Sequence, residues 1–196
     1  SGIVYWRDTA KPIHQTNQPH LIFYLLAGVM AVAGTSEPVL HLVIAGFTCG
    51  VVLMFHSLAR RIAVERALLL TALLVLGPAF LPSQNLMVDV PLLFFWLLVV
   101  WALFAAATSR TGWYYGLSSA MIALACLTKY SSLVLLPLHV VMALLRRHVV
   151  GVWFALVPLG ALVAWSCFNL FDYGGVHILN RPQLPFTIER VVVRVV

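Results

Sequence analysis

The chain has 196 residues, of which 62% are hydrophobic and only 9% charged, against roughly 25% charged in an ordinary soluble domain. With a mean hydropathy of +1.00, that composition excludes a soluble globular enzyme, a disordered tail and a nucleic-acid module. The net charge of +6 comes from twelve Lys and Arg against six Asp and Glu. These charges fall in short clusters between long apolar runs, the pattern of membrane-protein loops rather than of a basic face. The three cysteines, Cys49, Cys126 and Cys167, lie in apolar runs without ligand spacing and read as small buried hydrophobes.

At the N-terminus, Ser1 is followed by no charged region leading into an apolar stretch, so no cleavable signal peptide is visible. The chain stops at Val196 inside an apolar run and is expected to be a piece of a longer protein. The first apolar segment, His20–Gly34, is about 15 residues long, or about 22 Å as a helix. That falls short of a hydrocarbon core of roughly 30 Å, so it is expected to lie as an interfacial or re-entrant helix on the outer face.

Six further runs are expected to cross: Pro38–Leu58, Val64–Leu81, Val90–Thr108, Trp113–Leu127, Leu133–Leu145 and Val149–Leu170. The expected fold is therefore all-α, a polytopic transmembrane bundle of about six crossings with one outer interfacial helix. Residues 1–37 form an outer loop, 38–170 the bundle, and 171–196 a truncated outer-face segment. Six arginines, Arg60, Arg61, Arg66, Arg110, Arg146 and Arg147, occupy alternate short loops, and only Lys129 occupies the others. The positive-inside rule then makes the Arg loops cytoplasmic and both termini extracytoplasmic in a cell membrane. The runs Trp113–Leu127 and Leu133–Leu145 are short, so the Thr128–Ser132 link is expected to be recessed, with a bend at Pro137.

Few polar residues interrupt the bundle. Glu65 stands beside Arg66, where a solvated ion pair accounts for it. Asp89 opens the run Val90-Pro91-Leu92-Leu93. It reads either as a helix N-cap, with Pro91 suited to an early helical position, or as a functional carboxylate. Lys129 follows the outer end of the next helix, level with the start of the Asp89 helix. It reads either as a lysine whose stem snorkels to the headgroups or as an anion-binding cation, since an intramembrane charge is a functional candidate by default. His41, His56 and His139 have no metal-ligand spacing and read as hydrogen-bonded core or interface residues, while His148 joins the Arg cluster. His14 and His20, near Asp8, carry only a weak metal or phosphate signal. Trp113, Tyr114, Tyr115, Tyr130 and Tyr173, with Tyr5 and Trp6, fit the aromatic belt.

Several motifs occur in a telling order. Tyr5-Trp6-Arg7-Asp8 is followed by Gln18-Pro19-His20-Leu21-Ile22-Phe23-Tyr24, then Met87-Val88-Asp89-Val90-Pro91-Leu92, then Leu127-Thr128-Lys129-Tyr130, and finally Trp165…Asn169…Tyr173-Gly174. This set resembles the GT-C type glycosyltransferases that use polyprenyl-phosphate sugars, which include the protein O-mannosyltransferases and the lipid A aminoarabinose transferases. Gln18 stands where that family carries a basic residue, and His20 where it carries a second proline. The resemblance implies that Asp89 and Lys129 line the cavity for a lipid-phosphate sugar. On the same ground Gln18, His20, Asn85 and Tyr130 are candidate substrate contacts, and Asp8 and Asp89 candidate catalytic carboxylates. The family's principal carboxylate is expected before Ser1, because Asp8 lies close to Pro19.

The expected function is transfer of a sugar from a polyprenyl phosphate donor to a lipid, protein or glycan acceptor at the extracytoplasmic face. Membrane lipids are the other expected partner, nucleic acid is not, and the sequence leaves any divalent metal open. The rival reading is a transporter or flippase domain in which Asp89 and Lys129 form a gating pair. A third is a scaffold in which they are a cap and a snorkelling side chain.

Overall fold

The computed structural model describes residues 3–6, 9–12, 18–78, 80, 88–109 and 111–180. These residues belong to two compact units, Pro19–Trp165 and a second made of Ser1–Gln18 with Ser166–Val196.

The larger unit is an all-α bundle of membrane type. Its elements are α1 (Leu21–Ala33), α2 (Glu37–Ile62), α3 (Ala67–Val75), α4 (Asp89–Ser109), α5 (Trp113–Thr128), α6 (Leu135–Leu145), α7 (Val149–Trp153) and the first part of α8 (Leu156–Tyr173). Short 3-10 turns, Val64–Arg66 and Tyr130–Val134, precede α3 and α6. Three stretches are long and apolar enough to cross a membrane: Glu37–Ile62, Asp89–Ser109 and Val149–Tyr173. Leu21–Ala33, Trp113–Thr128 and Tyr130–Leu145 are apolar but shorter.

The packing centres on α4, which meets α5 most extensively and α2 next. Val99, Leu103 and Ala106 of α4 form one core with Tyr115, Ile122 and Cys126 of α5 and with Leu135 and Ala143 of α6. Both helices bury small residues (Ala102, Ala105 and Ala106; Ser118, Ser119, Ala123 and Ala125), which lets backbones approach closely where lipid supplies no hydrophobic drive. On the other flank, Ile44 and Val51 of α2 pack with Val90 of α4. Gly50 marks the close approach there: a Cβ on it would lie 2.5 Å from Phe94 Cε2, and Phe94 is already seated against Phe47 and Phe95. Gly50→Val is expected to destabilise the protein by about 1–3 kcal/mol through overpacking. A melt in detergent with an unchanged midpoint would contradict that contact.

The expected interfacial segment is a thirteen-residue helix, α1, about 20 Å long at helical rise. Ile22 and Leu26 pack with Val88, just before α4, with Phe95 of α4 and with Ala125 of α5, and Gly34 ends the helix at φ +82°. The run Val64–Leu81 departs from its expected crossing. It is not one helix, because α3 has nine residues and the chain turns at Leu76-Gly77-Pro78, where Gly77 N–H donates to Leu74 O at 3.1 Å. Proline disfavours the helical region for the residue before it, and Gly77 costs little to turn. Pro137 also differs from expectation. It falls in the first turn of α6, where a missing N–H is tolerated, and the change of path is instead the 3-10 turn before Leu135. Of the cysteines only Cys126 is buried; Cys49 and Cys167 are exposed, on helices whose outer faces carry apolar side chains for lipid.

At the Arg-bearing end the helices close through specific bonds. The α6 terminus is a Schellman turn: His148 N–H donates to Ala143 O and Arg147 N–H to Leu144 O, both at 2.9 Å. Arg147 holds the left-handed position at φ +53°, where glycine is the favoured residue. Arg147→Gly is expected to raise stability by about 0.5–1 kcal/mol, read as a higher melting midpoint. A lower one would mean that the guanidinium matters more than the backbone.

In the smaller unit, strands β1 (Ile3–Trp6) and β2 (Thr9–Pro12) pair antiparallel, Ile3 opposite Pro12 and Trp6 opposite Thr9. This ribbon was not expected from the sequence, which assigned Tyr5 and Trp6 to a membrane belt. The end of α8 also belongs here. Gly174, at φ +73°, caps it by donating its N–H to Leu170 O at 3.1 Å, so the Tyr173-Gly174 pair is a helix stop. The short α9 (His177–Asn180) follows.

Candidate functional site

Lys129 is set by the way α5 ends. Its backbone is extended (φ −156°, ψ 123°), yet its N–H still donates to Ala125 O at 2.8 Å and its carbonyl accepts from Ser132 N–H at 3.0 Å. Thr128, fully buried, turns its hydroxyl back onto Leu124 O at 2.8 Å. The last turn of α5 and the 3-10 turn after it thus hold the lysine between them, and its side chain leaves the helix axis.

Asp89 is the first residue of α4, with Pro91 in the first turn, where its missing donor is harmless. Its carboxylate Oδ1 lies 3.5 Å from Lys129 Nζ, with Asp89 51% and Lys129 37% exposed. Asp89 is thus already a helical residue rather than the cap before α4, and its carboxylate pairs with the C-cap residue of α5. Half exposed, such a pair contributes about 0–1 kcal/mol, so a competing anion displaces it at little cost.

Two indoles brace the turn that carries Lys129. Trp96 Nε1–H donates to Ser132 Oγ at 2.9 Å, and Trp165 Nε1–H donates to the Tyr130 hydroxyl at 3.2 Å. Trp96 lies two helical turns after Asp89, on the same face of α4. His20, 1% exposed, meets Trp165 edge-on at 5.4 Å between centroids, and Tyr24 meets Trp165 at 6.2 Å. The segment at the start of α1 and the turn after α5 therefore share one aromatic wall.

Of the residues singled out in the sequence, Asp89, Lys129, Tyr130 and His20 come together within the larger unit. Gln18 is half-buried at the edge of the described chain. Asp8, His14 and Asn85 lie outside the described residues. Trp96 and Ser132 were missed; their signal was spacing, seven residues from Asp89 and three from Lys129.

The other polar groups are accounted for locally. His139, fully buried, donates from Nε2 to Gly151 O at 2.9 Å, and Ser118 Oγ lies 3.1 Å from its Nδ1. Because the carbonyl can only accept, Nδ1 is the acceptor for the Ser118 hydroxyl. His148 Nδ1 accepts from Gly151 N–H at 2.8 Å, and its ring stacks on Tyr115. His56 Nδ1 lies 3.0 Å from the Thr71 hydroxyl. His41 does have a carboxylate one turn away, Glu37 at 3.5 Å, contrary to the reading that it lacks such a neighbour. Among the described residues these are the two ion pairs, so Glu65 and Arg66 stand separately in their exposed turn.

A family model described as dolichyl-phosphate-mannose-protein mannosyltransferase matches residues 17–171. The chain belongs to this family. The match takes in α1, Asp89, Lys129, Tyr130 and Trp165, the residues that the fold gathers, and it makes the chain part of a membrane glycosyltransferase of the GT-C kind. No curated protein and no solved structure matches it.

Proposed function

We propose that the protein transfers a sugar from a polyprenyl phosphate to an acceptor hydroxyl at the extracytoplasmic face of the cell membrane, inverting the anomeric carbon. Family membership supports the reaction class. The Lys129–Asp89 pair, 3.5 Å apart and half exposed, carries the reading of the site. In this reading the chain crosses the membrane several times with the Arg turns cytoplasmic, which gives Asp89 and Lys129 the outer side.

The acceptor oxygen attacks the anomeric carbon as the bond from that carbon to the phosphate oxygen breaks. The electron pair stays on the departing polyprenyl phosphate, and the acceptor proton passes to a carboxylate, for which Asp8 is this chain's candidate. Lys129 leaves Asp89 and meets the charge growing on the phosphate; its compact ammonium suits a point anion in a partly dehydrated site. Asp89 neutralises Lys129 when the donor is absent and contacts the acceptor when it is present. Gln18, Asn85 and Tyr130 are further donor contacts, and His20 acts through the aromatic wall beside Lys129.

Membranes expressing the protein are expected to move radiolabelled sugar from a polyprenyl phosphate donor to an acceptor. Donor movement across the bilayer without sugar transfer would favour the transporter reading instead.

A further inference from the structure

We infer that Trp96 and Trp165 are positioning residues for Lys129, acting through the hydroxyls of Ser132 and Tyr130. The inference rests on the reading of Lys129 as the phosphate-binding cation. Lys129 is followed at once by Tyr130 and, two residues later, by Ser132, and each hydroxyl accepts from an indole of a different helix: Trp96 on α4 at 2.9 Å and Trp165 on α8 at 3.2 Å. Ser132 itself is fully buried and its bond with Trp96 is part-buried, so that bond is held in a lower dielectric than water provides. The Tyr130–Val134 turn is a 3-10 helix, whose internal bonding is poorer than that of an α-helix, so its path depends on such outside braces. The same α4 carries Asp89. Trp96 therefore couples the turn bearing the cation to the helix bearing its counter-ion, and Trp165 couples it to the helix on its other side.

Braced in this way, the ammonium swings between Asp89 and the phosphate while its backbone stays still. Without a brace the ammonium spreads over a wider volume, which weakens a contact needed most in the transition state and leaves ground-state donor binding largely intact.

The test measures kcat and donor KM for sugar transfer in the full protein carrying Trp96→Phe, Ser132→Ala or both. Each single change is expected to lower kcat about tenfold with donor KM within about twofold, and the double change to cost no more than either alone. Ser132→Thr, which keeps the hydroxyl, is expected to restore the rate. In a Lys129→Gln background, Trp96→Phe is expected to cause no further loss. Trp165→Phe and Tyr130→Phe form the second such pair. Wild-type kcat in Trp96→Phe and Ser132→Ala, with Lys129→Gln still impaired, would overturn the inference alone. So would an equal loss from Trp96→Phe with and without Lys129, the mark of a purely structural role. A wild-type rate in Lys129→Gln itself would overturn the underlying reading of the site.

Discussion

Replacing Lys129 with glutamine is expected to lower kcat for sugar transfer by about 100-fold or more, the loss typical of removing one preorganised group from a developing anion. The fold should tolerate the change. The lysine is 37% exposed and its ion pair with Asp89 is half exposed, so the melting midpoint should move little. Lys129→Arg keeps the charge but replaces a compact ammonium by a longer planar fork, and it is expected to recover only part of the rate. Asp89→Asn is expected to cost about tenfold in kcat with a smaller change in donor KM, because the braces on Ser132 and Tyr130 still hold the turn of Lys129. Steady-state transfer assays with purified variants check all three. Undiminished turnover in Lys129→Gln would remove the ion pair from the chemistry and leave it an architectural contact.

The largest effect on stability is expected at His139. It sits fully buried between α5 and α7, spends one ring nitrogen on Gly151 O and the other on Ser118, and meets Tyr115 edge-on at 5.7 Å. Leucine there preserves bulk but leaves the hydroxyl and the carbonyl without their partner. Interhelical hydrogen bonds in membranes measure about 0.6 kcal/mol on average, with the best near 1.7, so losing two and disturbing the packing should cost about 2–3 kcal/mol. Ser118→Ala removes one partner and should cost about 0.5–1 kcal/mol. The comparison discriminates: equal midpoints for His139→Leu and Ser118→Ala would mean that the Gly151 bond carries nothing. Gly151 reinforces the point, since a Cβ on it would come within 3.0 Å of the Tyr115 ring and 3.1 Å of Ala143 Cβ.

Much of this architecture could be read from residue order. Apolar runs of twenty or so residues cannot stay in water, and their backbone polar groups must bond internally, so α2, α4 and the Val149–Tyr173 stretch follow from composition and length alone. The shortness of α1 was equally plain, as was the isolation of Asp89 and Lys129 among apolar neighbours. The break of the run Val64–Leu81 was harder to see. After Arg66 its hydropathy is nearly uniform, and only the Gly77-Pro78 pair signals the turn. The β1–β2 ribbon was hidden because a four-residue strand has no periodicity long enough to stand out from a charged, aromatic segment.

What linear order settled is the solvent: which segments demand lipid, which turns stay in water, and which charged side chains need a reason to exist. That follows from transfer free energies, which are summed residue by residue and ask nothing of distant neighbours. Contacts across many residues are another matter. That Asp89 meets Lys129 and not a backbone amide, and that Trp96 and Trp165 converge on the turn between them, depends on how helices rotate about their axes. Rotation is governed by the fit of small residues such as Ala106, Gly50 and Ser119 against their opposite numbers, and on α4 and α3 apolar side chains ring the helix nearly evenly. With no polar face to orient them, only packed side chains select one angle from many.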